Sequence, residues 1–292
     1  MELKLNMHLT PFDLENTLQC GQLFRWEKRG DWWYGVVEEQ VFKVQQIESI
    51  LEFEGVNVDF VKNYFRLDDN LPQIIFEISR DTLIKQAVQT FLGLRIARQS
   101  PWECLISYIC ATYKNIPAIK SMISELSKQF GDEITFENHD FYTFPDPNVL
   151  AKATLYKLRK CKLGFRAKRV RETARIVDCN KIDFKALKRM DYETAKGKLL
   201  QLPGVGNKVA DCILLFSLEK LEAFPVDIWM RRIIQEHYVH HFDPSFINKF
   251  REKKSLSPKE YNRISSFARN YFGKHAGYAQ EYLFHFARSK QL

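Results

Sequence analysis

The stretch Leu202-Pro203-Gly204-Val205-Gly206-Asn207-Lys208-Val209-Ala210-Asp211-Cys212, followed by Pro225-Val226-Asp227, sets an amine and a carboxylate beside a glycine turn. Pro203 and the two glycines end a helical pattern that begins at Tyr192, and Asn207 starts the next one. Glycine permits positive φ and leaves no Cβ to block a close neighbour, so both Gly204 and Gly206 are expected to use that freedom. Free N–H groups at the start of the second helix can hold a phosphate, which makes Gly204, Gly206 and Val209 the expected backbone contacts. An amine there can attack a sugar C1′ as a base leaves, giving an imine that favours β-elimination of the 3′ phosphate. With a free-lysine pKa of about 10.4, only about one lysine in 2,500 is neutral at pH 7. The site must therefore favour the neutral amine by partial desolvation, or deprotonate Lys208 as substrate binds. Asp227, 19 residues further on, would stabilise positive charge on the sugar and help to move protons. Without the turn, the same two residues read as a solvated helix lysine and an N-cap aspartate.

The chain that must position these groups has 292 residues, 45% of them hydrophobic. That is enough for a large core and two or three subdomains. Lys and Arg number 44 against 36 Asp and Glu, a net charge of +8, which fits a polyanionic partner or simply a basic surface. The cysteines at 20, 104, 110, 161, 179 and 212 include no C-x-x-C pair and no cluster of four, so neither zinc nor an iron–sulfur cluster is expected. His240-His241 lacks a matching ligand set, and no metal site is expected there. No secretory leader and no apolar run of about 18 residues is seen. An intracellular protein follows, in a bacterial cytoplasm or nucleoid or in a nucleus, with reduced thiols and no membrane partner.

Residues 1–95 differ in texture from the rest. Trp32–Val37, Val41–Val44 and Leu51–Glu54 read as strands, with Glu38-Glu39-Gln40 as a hairpin connection. Val61–Phe65 and Leu71–Ile78 read as helices. An α+β fold is expected: a small N-terminal α/β domain with an antiparallel sheet, packed on a mostly helical core over 96–292. In that core, Ser100-Pro101-Trp102-Glu103 reads as a capping box. Phe141–Pro147 reads as a loop, Asn148 as a cap, and Lys162-Leu163-Gly164-Phe165-Arg166 as a second glycine turn with basic residues.

Residues 202–212 resemble the helix-hairpin-helix, here spanning 192–218, of the base-excision DNA glycosylase superfamily. On that resemblance Lys208 matches the Schiff-base lysine of bifunctional glycosylase/lyases and Asp227 the essential aspartate. Lys-Val-Ala-Asp-Cys is narrower and resembles the 8-oxoguanine DNA glycosylases of the eukaryotic type, in which Cys212 would lie against one face of the flipped base. Cys20-Gly21-Gln22-Leu23-Phe24-Arg25-Trp26 is similar to the family's Gly-Gln-x-Phe-Arg-Trp. There the glycine carbonyl accepts the proton that 8-oxoguanine, unlike guanine, carries on N7. Two facing acceptors, as normal guanine would give, cost roughly 1–3 kcal/mol. Gly277-Tyr278-Ala279-Gln280-Glu281-Tyr282-Leu283-Phe284 is similar to the family's last helix, a base-pocket helix placed here at 276–290. Phe284 would stack on the base opposite Cys212, and Gln280 would bond its Watson–Crick edge.

The resemblance also implies how the duplex is opened. Gly164-Phe165-Arg166 is similar to a Gly-Tyr-Arg whose aromatic wedges the stack and whose arginine contacts the estranged cytosine. Phe165 keeps the ring, and Arg166 its donors. Phe165 loses the tyrosine hydroxyl, and three further positions depart from the family. Tyr113, next to Lys114, replaces an asparagine that reads the orphan cytosine, Ala118 replaces an arginine, and Trp229 replaces a phosphate-contacting histidine, while Arg232 keeps a downstream basic position. Relaxed selectivity for the opposite base is the expectation. The implied partner is bent duplex DNA containing 8-oxoguanine, bound by a monomer. No cofactor is required, although hairpin carbonyls can hold a structural cation in relatives. A monofunctional alkylbase glycosylase and a non-enzymatic helix-hairpin-helix DNA-binding module remain as alternative readings.

Overall fold

Alternation of side chains to opposite faces builds the sheet of the N-terminal part. In this computed structural model, which describes residues 3–290 except 9, 252 and 254, with the side chains of 249–251 left out, five antiparallel strands are present: β1 (Leu3–Asn6), β2 (Trp26–Arg29), β3 (Trp32–Val37), β4 (Gln40–Ile47) and β5 (Ile50–Glu54). Their spatial order is β1-β5-β4-β3-β2. The register sets Trp33 opposite Val44 and Gly35 opposite Phe42. One face buries Trp26, Trp33, Phe42, Val44, Leu51 and Phe53 against Phe12, Leu14, Leu18, Val61, Tyr64 and Phe65. Gly35 is needed for this packing, because a Cβ there would lie 2.5 Å from the Trp26 ring.

The expected strands β3, β4 and β5 are present, and Leu71–Ile78 is helical. The edge strands β1 and β2 were not foreseen: each is only four residues long, too short for the alternation of Leu3–Asn6 to stand out, and β2 has a single apolar residue, Trp26. Within the mostly helical core expected over 96–292, one further sheet element was not foreseen. Glu133–Phe136 (β6) and His139–Tyr142 (β7) form a hairpin that covers the outer face of the sheet. Phe141 stacks on Tyr34 at 6.1 Å, and the Tyr34 hydroxyl donates to Glu137 at 2.8 Å.

The remainder is helical. Its core is the C-terminal helix Ala276–Lys290, whose first eight residues are all buried. Around it pack Thr82–Thr90, Ile228–His237 and Pro258–Phe272, and Pro101–Cys110 packs on Asn207–Ser217. Two expected caps are corrected. Ser100 precedes the helix at Pro101 but makes no side-chain cap bond, and the Glu103 carboxylate that would complete the box pairs with Arg25 at 3.0 Å. Asn148 lies inside Pro147–Lys152, which starts after Asp146. Glu219 joins the two parts, bonding Arg66 at 2.7 Å and Arg98 at 3.3 Å.

Candidate active site and nucleic-acid interface

The hairpin consists of Tyr192–Leu199, a turn, and Asn207–Ser217. Gly204 has φ +87°, and a Cβ there would meet Arg169 Cδ at 2.9 Å. Gly206 differs from the expectation: at φ −99°, ψ −179° it is extended backbone that any residue can adopt. Its role is space, since nothing lies within 4 Å of where a Cβ would be. No side chain caps the helix it precedes, so the first-turn N–H groups lack intrahelical partners at a surface open to a phosphate. The Val209 side chain is buried, leaving only its backbone for such a contact.

In the first turn of this helix and one turn on, Lys208 and Cys212 face a cavity of about 50 Å³ that Gly21, Asp227, Gln280 and Phe284 also line. All six residues picked for chemistry or base recognition thus meet in one place. Four more complete the wall: Tyr108, Phe216, Pro225 and Glu281. Tyr108 and Phe216 stack at 5.5 Å, and Lys208 Nζ sits 4.8 Å from the Tyr108 ring centre. Nothing in the apolar run Leu105–Cys110 marks Tyr108 in advance. Glu281 carried a signal that was passed over, a charge among the apolar residues of a core helix.

Gly21 has φ +111°, and a Cβ there would lie 2.7 Å from Arg288 Nη1 and 2.9 Å from Ile116 Cδ1. Gln22 locks this turn. Its amide donates to the carbonyls of Thr17 and Arg95 and accepts from Ala97 N–H at 2.8 Å. Phe284 Cε1 lies 3.3 Å from the missing Cβ position of Gly21. The cavity, about 50 Å³, is small beside the cleft it opens onto.

Asp227 caps Ile228–His237, and its Oδ1 accepts from Trp229 N–H and Met230 N–H, each at 2.9 Å. The N-cap role and a place beside Lys208 are held by the same carboxylate. Burial raises its pKa, against the pull of the Met230 N–H, Lys208 and the Trp229 N–H. Burial pushes Cys212 up to about 12, so it is a thiol at neutral pH. For Lys208, burial favours the neutral amine, but the Asp227 carboxylate is among the groups that oppose it and the net shift is upward. Burial alone therefore does not leave Lys208 as a neutral amine.

Outside the cavity runs a cleft of about 1640 Å³ whose lining includes Lys28, Lys114, Lys120, Arg169, Arg231 and Arg288 against Glu27 and Asp227. Such an excess of cations suits a phosphate backbone. Tyr113, 87% exposed with φ +55°, and Trp229 also line it. Lys114 and Arg232 are exposed, and Arg232 lies over the Trp229 ring at 5.0 Å. Phe165 is exposed beside Gly164 at φ +56°.

Arg166 does not present its donors as expected. It is buried, and its Nε (3.1 Å) and Nη2 both bond the Thr112 carbonyl. That carbonyl lies just beyond the helix Pro101–Cys110 and is an acceptor in need of a partner. Arg166 therefore fastens the loop that carries Tyr113.

Among the described residues no group of three or more His, Cys, Asp or Glu gathers to hold a metal. No helix there is long and apolar enough to cross a membrane.

Comparison with known proteins agrees with this geometry. Residues 4–105 match a family described as 8-oxoguanine DNA glycosylase, N-terminal domain, and residues 106–256 match the HhH-GPD superfamily base excision DNA repair protein family. A probable N-glycosylase/DNA lyase of Methanothermobacter thermautotrophicus is 34% identical over 73% of this chain and 69% of its own length. An N-glycosylase/DNA lyase of Saccharomyces cerevisiae is 32% identical over 96% of this chain and 85% of its own. The Clostridium acetobutylicum 8-oxoguanine glycosylase/lyase, solved with double-stranded DNA containing cytosine opposite 8-oxoG, superimposes with a TM-score of 0.87. It is 32% identical, and the match covers 97% of this chain and 94% of that one.

Proposed function

Since the chain belongs to the HhH-GPD superfamily of base excision DNA repair proteins, we propose that it removes 8-oxoguanine from duplex DNA and then cleaves the strand by β-elimination through Lys208. The observation that carries this reading is the single cavity shared by Lys208, Asp227, Gly21, Cys212, Gln280 and Phe284. A base drawn from the stack, at a cost of a few kcal/mol, enters between Cys212 and Phe284. Gly21 and Gln280 read its edges, and Lys208 attacks C1′ while Asp227 faces the charge that builds on the sugar. The first-turn N–H groups of Asn207–Ser217 and the basic cleft hold the backbone.

A monofunctional glycosylase has no use for an amine in the cavity, and a binding module no use for the cavity. The steps use the chain's own side chains and main-chain groups and need no cofactor. The hairpin turn offers main-chain oxygens rather than an acidic cluster. That donor set fits a hard cation, whose role would be to stiffen the turn.

Opposite the lesion, we propose weak discrimination. Tyr113 offers a ring and one hydroxyl, and the guanidinium of Arg166 is spent on Thr112, so little is left to bond a cytosine edge. Base release should be measured on duplexes carrying 8-oxoguanine opposite C, A, G or T, with a guanine duplex as control. The expected result is excision of 8-oxoguanine and not guanine, with the four rates within about tenfold, the low end of what one bidentate base contact yields. A strong preference for C would refute the relaxed reading, and indifference between 8-oxoguanine and guanine would refute the substrate.

A further inference from the structure

Glu281 has no part in the steps above, yet it lines the same cavity as Lys208 and Asp227. It is 2% exposed, and its Oε1 is buried without a hydrogen-bond partner. Leaving a buried acceptor unpaired is costly, and such groups are few in native folds. The titratable and charged groups that face it come from every neighbouring element. They are Cys20 beside the Gly21 turn, Tyr108, Lys208 and Cys212, Asp227, and Arg288 further along its own helix.

We propose that Glu281 receives the proton that Lys208 must lose, so that the lesion pocket contains its own base for the nucleophile. This rests on the reading of Lys208 as nucleophile. An N–H bond of the ammonium breaks and its electron pair stays on nitrogen. The proton passes, directly or through one pocket water, to Glu281 Oε1, where an O–H bond forms. The nitrogen pair then bonds C1′ as the C1′–N9 pair departs with the base.

The other groups are poorly placed for the task. Asp227 Oδ1 is held by two backbone N–H groups, and its charge is needed against the sugar. Burial keeps the protons of Cys212 and Tyr108 in place far above neutral pH. Burial, helped by Asp227 and opposed by Cys20, Arg288 and Lys208, raises Glu281 to about 7. That leaves it balanced between acid and base at the pH where the enzyme must work.

The test is single-turnover base release from an 8-oxoguanine duplex between about pH 5.5 and 9, for the native chain and for Glu281→Gln, with borohydride trapping of the native chain alongside. The native rate should rise with pH through about 7. Glu281→Gln, which mimics the protonated form, should match it at the acid end and lag by about a hundredfold above pH 8, with no inflection near 7. A variant that keeps the inflection, or that is slower by one factor at every pH, overturns the proposal, as does a native profile without an inflection there. Should Glu281→Gln not fold, Glu281→Ala must show the same loss of inflection. Failure of the native chain to trap at all would instead refute the Schiff-base reading, so the two failures are distinguishable.

Discussion

Asp227→Asn should fold at least as well as the native chain yet release 8-oxoguanine about 10²–10³ times more slowly. Asparagine caps helices as well as aspartate does, and its amide oxygen can accept from Trp229 N–H and Met230 N–H as the carboxylate does now. What disappears is the negative charge beside Lys208. Burial raises the Asp227 pKa, so its ionised form is worse solvated folded than unfolded. A carboxyl group whose pKa is raised on folding costs stability once pH climbs above its unfolded value, and the cost is absent in acid. At neutral pH the neutral variant should therefore show an equal or higher Tm in thermal unfolding, alongside its loss of rate. A matched loss of Tm and rate would mean that Asp227 is a cap and nothing more.

Lys196→Met should lower stability by about 3–5 kcal/mol, a fall in Tm of roughly 10 °C. Asp211 is wholly buried and is held by Lys196 at 3.0 Å, the Tyr192 hydroxyl at 2.7 Å and the Tyr261 hydroxyl at 2.6 Å. Removing the lysine leaves a carboxylate in the core with no cation. Removing both charges, as in Lys196→Met with Asp211→Leu, should recover only part of the loss, because an apolar pair can replace a buried ion pair but leaves the Tyr192 and Tyr261 hydroxyls without their acceptor. Activity should not recover in step. Tyr261 also accepts from Val226 N–H at 3.1 Å, so the network ties the helix bearing Lys208 to the residue before Asp227. A double-mutant cycle read by both Tm and base release separates the two contributions.

What could be read from the residues follows a physical divide. Gly21, Lys208, Cys212, Asp227, Gln280 and Phe284 were identifiable because each sits in a short motif with characteristic spacing, and the fold brings them to one cavity. Strands β3 to β5 were legible from their alternation. Tyr108 and Phe216 were not, because an aromatic on a buried helix face looks the same whether it backs a core or a pocket. The β6–β7 hairpin is mostly polar and is held by Tyr34 and Lys43 on a distant sheet, a tertiary pairing that local pattern cannot disclose. Ser100 and Arg166 misled for a related reason. Their motifs name a local partner, but Glu103 was claimed by Arg25 and the Arg166 guanidinium by the Thr112 carbonyl.

The central claim is that Lys208 forms a covalent bond to the sugar of an excised 8-oxoguanine nucleotide. Borohydride reduction during turnover on an 8-oxoguanine duplex, followed by denaturing gel electrophoresis, tests it directly. One protein–DNA adduct is expected, requiring the lesion and mapping to Lys208 by peptide mass, and none with Lys208→Gln. An adduct that survives Lys208→Gln, or base release with no adduct from the native chain, would contradict it.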